Sequence, residues 1–345
     1  MDVVKRIAIL DALRGLSICL VLVAHFGNHI VEGLYTFQNT VWNIGVTGVF
    51  IFFCVSGYVI PLTLQKLDLR LGRLNCVAEF WTKRAFRILP VYLLLIAPAW
   101  LLLADDDRVH QMAEVLSTAP LEYILATITF TAYFVDWPLA FGGLEWSLAY
   151  EFVFYVICSL FLMLGAPRKR YALYIGVVFV VGILFLPVAG HQIQKHTFML
   201  TFFLLGLVVY LQQYGHLGRS AFLVVSLIVV AGIYIRAITW AHMWGISYIT
   251  VAAVLAPILF LAGCYLPNFR AVVPFLAPVG VISYSMYLTH MLVMAAFPLS
   301  EWSPVIRFCF WFIADIGLSL VVYRFIEAPA NSLGHSLSSR WKPSL

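Results

Sequence analysis

Charge is what this sequence has least of. Asp, Glu, Lys and Arg make up 11% of its 345 residues, against about 25% in soluble domains. Long polar stretches are equally scarce, and 63% of the residues are hydrophobic. One water-soluble core cannot bury that much apolar surface, so a soluble globular protein is excluded. The formal net charge of +5 does not by itself indicate nucleic-acid binding. The six cysteines lack metal-ligand spacing. Cys19, Cys54, Cys158, Cys264 and Cys309 lie in apolar runs and Cys76 in a basic loop, so they read as small hydrophobes rather than ligands or disulfides. His29, His110, His191, His196, His216, His242 and His335 are scattered through loops and span ends, which gives no zinc pattern. There is also no P-loop, dinucleotide fingerprint, internal repeat or low-complexity tract. No metal and no permanently bound cofactor is expected.

What the chain does have is apolar runs of spanning length. About 20 apolar residues are needed to cross ~30 Å of hydrocarbon. Runs at 7–27, 44–64, 86–103, 145–164, 171–189, 197–213, 220–238, 246–264, 275–297 and 304–326 meet or approach that length. Segments this long satisfy their backbone in lipid only as helices. The fold class expected is all-α: a polytopic transmembrane helical bundle of about ten spans, with cytoplasmic N- and C-termini. Residues 1–330 form one transmembrane domain and 331–345 a short cytoplasmic tail. Lys5 and Arg6 before an apolar run mimic a signal peptide, but charges interrupt the run and no cleavage site follows, so the first span is expected to be retained. Residues 121–137 are read as interfacial or re-entrant. With that topology every Lys and Arg except Arg14, Arg108, Lys195, Arg236 and Arg307 falls inside, a clear positive-inside asymmetry. The inside loop 65–85 is basic. The outside loop 104–144 carries Asp105, Asp106, Asp107, Glu114, Glu122 and Asp136.

Against this apolar background, ionisable residues within spans stand out. Each costs roughly 2.5–3.5 kcal/mol on insertion scales and is a functional candidate for that reason. The first span carries Asp11, Arg14 and His25. Arg14 and His25 are eleven residues apart, three helical turns plus about 20°, so they share a face. Asp11 and Arg14, at i,i+3, can neutralise each other. In 80–92 (FWTKRAFRILPVY) Arg84 and Arg87 share a face at the cytoplasmic entry, beside Lys83. Guanidinium forks suit phosphate, and anchoring to anionic lipid is the other reading. In 145–155 (EWSLAYEFVFY) Glu151 lies roughly 9 Å inside the outer end of its span, a depth similar to that of His25, with Ser147 and Tyr155 four residues to either side. The second span places Gly45, Gly48, Ser56 and Gly57 among aromatics. These suit close helix packing, and Ser56 can bond a ligand. Residues 282–290 (ISYSMYLTH) set Ser283, Tyr287 and His290 in a polar stripe that lines a cavity or packs helices. Asp315 has no evident local partner. Arg324 and Glu327 read as anchoring, and Pro329 reads as a helix stop.

Taken in order, LDALRG with His25, FFCVSGY, RAFRILPVY, WSLAYEFVFY, ISYSMYLTH and YRFIEAP resemble the membrane acyltransferase-3 family of O-acyltransferases across nearly the whole chain. The resemblance implies ten spans, an acyl-CoA donor (acetyl-CoA as the default) entering from the cytoplasm, and a hydroxyl acceptor on a carbohydrate or lipid-linked glycan near the outer face. It matches Arg14 and His25 to the family's Arg-x10-His pair, Arg84 and Arg87 to its Arg-x-x-Arg pair, and Glu151 to its fourth-span acid. His25, Glu151 and Arg14 are the catalytic expectation. Arg84, Arg87, Lys83 and Ser56 are expected at the donor, and Ser147, Tyr155, Tyr287 and His290 around the acceptor cavity. Some members carry a soluble esterase-like domain after the last span, and none is expected in the residues after Ile326. The partners expected are acyl-CoA, the glycan acceptor and membrane lipid, in a bacterial inner membrane, with no nucleic acid. The competing class is a transporter using Asp11, Arg14, His25 and Glu151 as a proton or solute site.

Overall fold

A computed structural model describes residues 3–28, 35–67, 70, 72–103, 105–163, 191–244 and 248–338. Among these residues every regular element is helical. In chain order they are α1 (Val3–Asn28), α2 (Tyr35–Gln65), α3 (Arg73–Leu103), α4 (Asp106–Thr118), α5 (Pro120–Ile128), α6 (Glu145–Met163), α7 (His191–Gln213), α8 (Arg219–Trp244), α9 (Tyr248–Tyr265), α10 (Val273–Val281), α11 (Ser283–Ala296), α12 (Pro304–Val322) and α13 (Ala328–Ser338). Six helices among the described residues are long and apolar enough to cross a membrane, and the protein is an integral membrane protein. The expected span 171–189 lies outside the described residues.

The chain divides into two compact units, Met1–Leu67 with Ile157–Ser283, and Asp68–Val156 with Tyr284–Leu345. Glycines set the first. A Cβ on Gly15 would collide with the Leu276 carbonyl, and one on Gly280 with the Asp11 carbonyl, so α1 and α10 touch backbone to backbone. Gly57 and Gly206 make the same reciprocal contact between α2 and α7, against the carbonyls of Phe203 and Cys54. Small residues buy this proximity in helices that lipid does not push together. Aromatic stacking fills the rest of that seam. Phe50 lies on Phe202 at 4.0 Å and Phe53 on Phe203 at 4.7 Å between ring centroids. Gly45 against Ala24 and Gly48 against the Ser17 carbonyl bring α2 onto α1.

In the second unit α3 starts four turns before the expected span. Gly72, at φ +89°, turns the chain in, a conformation that suits glycine. Cys76, Glu79, Phe80, Arg84, Ile88, Val91, Tyr92, Leu95 and Ala99 then form one buried stripe at helical spacing. At nine residues α5 is far too short to cross the bilayer. Phe130 and Asp136 in left-handed conformation bracket a short 3-10 turn, Thr131–Val135, that brings the chain back. The Tyr123 hydroxyl ties the return to the Pro138 carbonyl at 3.0 Å. Leu121, Ile124 and Leu125 are exposed on α5, an apolar face suited to the lipid interface.

Two expectations change. The run 275–297 is not one helix: α10 stops at Val281 and α11 begins at Ser283, whose hydroxyl donates to the Gly280 carbonyl at 2.8 Å. Pro329 does not end the last helix. Tyr323–Glu327 forms a π-turn, and α13 runs on to Ser338. The wider turn shifts the hydrogen-bond register just where the proline ring would strike the preceding turn. Residues 331–338, expected in the tail, therefore belong to a helix whose Gly334 packs on the Phe86 side chain of α3.

Candidate functional site

The first unit holds Arg14, His25 and Ser56. Arg14 Nη1 donates to Asp11 Oδ1 at 2.8 Å, the i,i+3 neutralisation expected from the sequence. This pair sits where α1 meets α10, because Gly280 rests on the Asp11 carbonyl. His25 lies one turn before the end of α1, half-buried. Its ring meets Trp42 of α2 edge-on at 5.4 Å. Trp42 is 39% exposed, so the imidazole sits near the end of the α1–α2 pair and not in its core. Ser56 is half-buried in α2, immediately before the Gly57 that meets α7.

The second unit gathers the other candidates. Arg84 is 7% exposed. Its guanidinium lies over the Tyr155 ring at 5.2 Å and the Phe80 ring at 5.6 Å. The Tyr155 hydroxyl donates to Glu151 Oε1 at 2.6 Å. One tyrosine thus offers its face to the arginine and its hydroxyl to the acid. Trp81 and Phe152, 5.2 Å apart, wall the same place. A desolvated cation–π contact is worth about 2 kcal/mol or more, and the charge-assisted hydrogen bond roughly 1.5–3 kcal/mol. Arg87 is half-buried one turn further on. Lys83 is ion-paired with Glu79, itself buried in the stripe of α3. The i,i+4 spacing of that pair is visible in the sequence.

The acceptor-side candidates are spent on one another. Ser147 Oγ and the Tyr287 hydroxyl meet at 2.9 Å, joining α6 to α11, and both touch the Leu144 carbonyl, at 3.3 and 3.1 Å. His290 is fully buried, with Nδ1 at 2.9 Å from the Tyr287 carbonyl. Glu145, which sequence reasoning passed over, starts α6 almost wholly buried and accepts the Phe141 N–H at 2.8 Å. Nothing in its spacing separates it from an ordinary first-turn acid. Outside the spans, burial pushes the Tyr123 phenol above its ordinary range. Glu327 takes the Ser285 hydroxyl at 2.6 Å, while Arg324 points outward, exposed. His25 belongs to the first unit and Glu151 to the second. Among the described residues no group of three His, Cys, Asp or Glu side chains is arranged to hold a metal ion.

Known proteins are similar to this chain in sequence. A Staphylococcus aureus protein provisionally named an O-acetyltransferase is 26% identical over 97% of this chain and 59% of its own length. BcsY of Komagataeibacter xylinus, provisionally named a membrane-bound transacylase, is 28% identical over 81% of this chain and 71% of its own. YrhL of Bacillus subtilis, provisionally named a peptidoglycan O-acetyltransferase, is 28% identical over 45% of this chain and 24% of its own. The chain thus spans about three-fifths of the length of the staphylococcal relative. No solved structure matches it. The acyltransferase-domain model of the acyltransferase-3 family matches residues 7–324, and the chain belongs to that family.

Proposed function

We propose that this protein is an integral-membrane O-acyltransferase of a bacterial inner membrane. It moves an acetyl group from acetyl-CoA, bound from the cytoplasmic side, to a hydroxyl of a carbohydrate acceptor. The observation that carries this reading is the Arg84–Tyr155–Glu151 assembly. A buried arginine and an acid held by one tyrosine inside a membrane domain are costly, and an inert anchor has no use for them.

In this reading Arg87 and Arg84 take the donor phosphates, with Lys83 adding positive charge at the same entry. Ser56 offers a hydroxyl to the donor arm. Arg14, held by Asp11, stabilises the negative charge that develops on the thioester oxygen. His25 takes the proton from the acceptor hydroxyl. The oxygen of that hydroxyl bonds to the acyl carbon, the carbon–sulfur bond breaks, and the proton passes to the departing thiolate. Glu151 supplies the compensating negative charge that a developing imidazolium calls for. Ser147, Tyr287 and His290 shape the acceptor side. The names of the staphylococcal and Bacillus relatives support acetyl as the group, the Bacillus name supports a cell-surface glycan as the acceptor, and the Komagataeibacter name supports acyl transfer at a membrane.

The test is transfer itself. Purified protein in lipid nanodiscs, given radiolabelled acetyl-CoA and a glycan fragment, is expected to leave label on the glycan as a base-labile ester. Uptake of an unmodified solute into proteoliposomes, with no label transferred, would overturn the reading in favour of a transporter.

A further inference from the structure

Four oxygens in the second unit hold more hydrogen-bonding contacts than their own hydrogens can fill. Thr289 Oγ1 on α11 lies 2.9 Å from the Ser285 carbonyl, 2.6 Å from Asp315 Oδ1 on α12 and 2.8 Å from Ser319 Oγ. Each contact at this distance needs one hydrogen between its oxygens. Thr289 and Ser319 bring one each, and the carbonyl brings none. The third must come from Asp315. With a proton on Oδ1 each of these three contacts is filled: Thr289 donates to the Ser285 carbonyl and accepts from Asp315 and from Ser319, while the fourth approach, Ser319 Oγ to Asp315 Oδ1 at 3.5 Å, is too long to require a hydrogen of its own. Without it, two oxygens face each other with no hydrogen between them. The second carboxyl oxygen, Oδ2, is buried with no hydrogen-bond partner. Asp315 is 0% exposed, and a carboxylate oxygen without a donor in such surroundings costs several kcal/mol, whereas the carbonyl oxygen of a neutral acid costs far less.

The neighbouring charged groups leave this count unchanged. Glu327 has its own hydrogen from Ser285, at 2.6 Å. His290 Nδ1 is turned to the carbonyls of Tyr287 and Met286. Arg307 lies over the Trp311 ring at 5.2 Å.

We propose that Asp315, Thr289, Ser319 and the Ser285 carbonyl form a proton-binding site inside the membrane domain, with Asp315 present as a neutral carboxylic acid. The site is separate from the residues assigned to acyl transfer and holds for a transferase and a transporter alike. Infrared spectroscopy of the full chain in nanodiscs tests it. The wild type is expected to show a protonated-carboxyl stretching band that shifts in D2O and disappears in Asp315→Asn, whose amide supplies the same hydrogen. Should that variant fail to fold, Thr289→Val is expected to keep the band and move it to higher frequency, because it loses its hydrogen-bond acceptor. A wild-type spectrum with only carboxylate bands at Asp315, or carboxylate bands that move when Na+ replaces K+, would overturn the proposal; the second result would make the site a cation site.

Discussion

Tyr155 ties together two residues that the sequence set apart. Arg84 was expected at the cytoplasmic surface and Glu151 near the outer end of its span, yet the tyrosine between them touches both. Arg84→Lys is therefore expected to lower transfer at least tenfold. An ammonium lacks the planar, delocalised guanidinium that lies over the Tyr155 ring, and the loss should appear in kcat/KM for the donor. Tyr155→Phe keeps the ring under Arg84 but removes the hydroxyl from Glu151. It should fold normally and lose activity by roughly tenfold or more, about the 1.5 kcal/mol of one charge-assisted hydrogen bond. Wild-type kinetics in both variants would mean that the assembly is only packing. At this scale, some local pairs were legible in the sequence: Asp11 with Arg14 and Glu151 with Tyr155 follow from helical spacing, whereas Glu79 with Lys83 has the same spacing but was hidden because 65–85 read as a loop. Trp42 beside His25, Arg84 over Tyr155 and Thr289 on Asp315 were not, because each depends on which helices pack together.

At the scale of elements, glycine contacts decide which helices can meet. Gly57 and Gly206 each leave space for a carbonyl of the opposite helix, so Gly206→Ala must push α7 away from α2. Overpacking of this kind costs about 1–3 kcal/mol. The expected outcome is a lower unfolding temperature in detergent with the secondary structure retained, and an unchanged temperature would contradict the backbone contact. Pro329→Ala should be close to neutral in the same assay, because the π-turn already accommodates the ring. The small-residue reading of Gly45, Gly48 and Gly57 came from the sequence and holds. The break at Ile282 and the passage through Pro329 were hidden, since an apolar run reads alike whether its helix is straight, interrupted or widened by a π-turn. The early start of α3 left a signal, the buried stripe from Cys76 to Arg84, which the charges of the basic loop obscured.

On the scale of the whole molecule, composition was decisive. So few charges and so many apolar runs demand a membrane protein, and the six long apolar helices bear that out. Loop charges carried the further choice to leave 121–137 out of the spans, and the short α5 with its left-handed returns agrees. The same reasoning puts residues 65–85 and residues 104–144 on opposite sides of the membrane. Single cysteines at Lys66 and Asp107 in a cysteine-free background should label from opposite faces of intact cells, and labelling from one face would refute the topology. The central claim is that His25 does the proton chemistry of acyl transfer. It is tested most directly by His25→Ala, reconstituted beside the wild type and given labelled acetyl-CoA and a glycan acceptor. The expected result is loss of transfer by a factor of at least a hundred, the lower range of general-base contributions, with expression, unfolding temperature and donor binding kept. Transfer at the wild-type rate in that variant would contradict it.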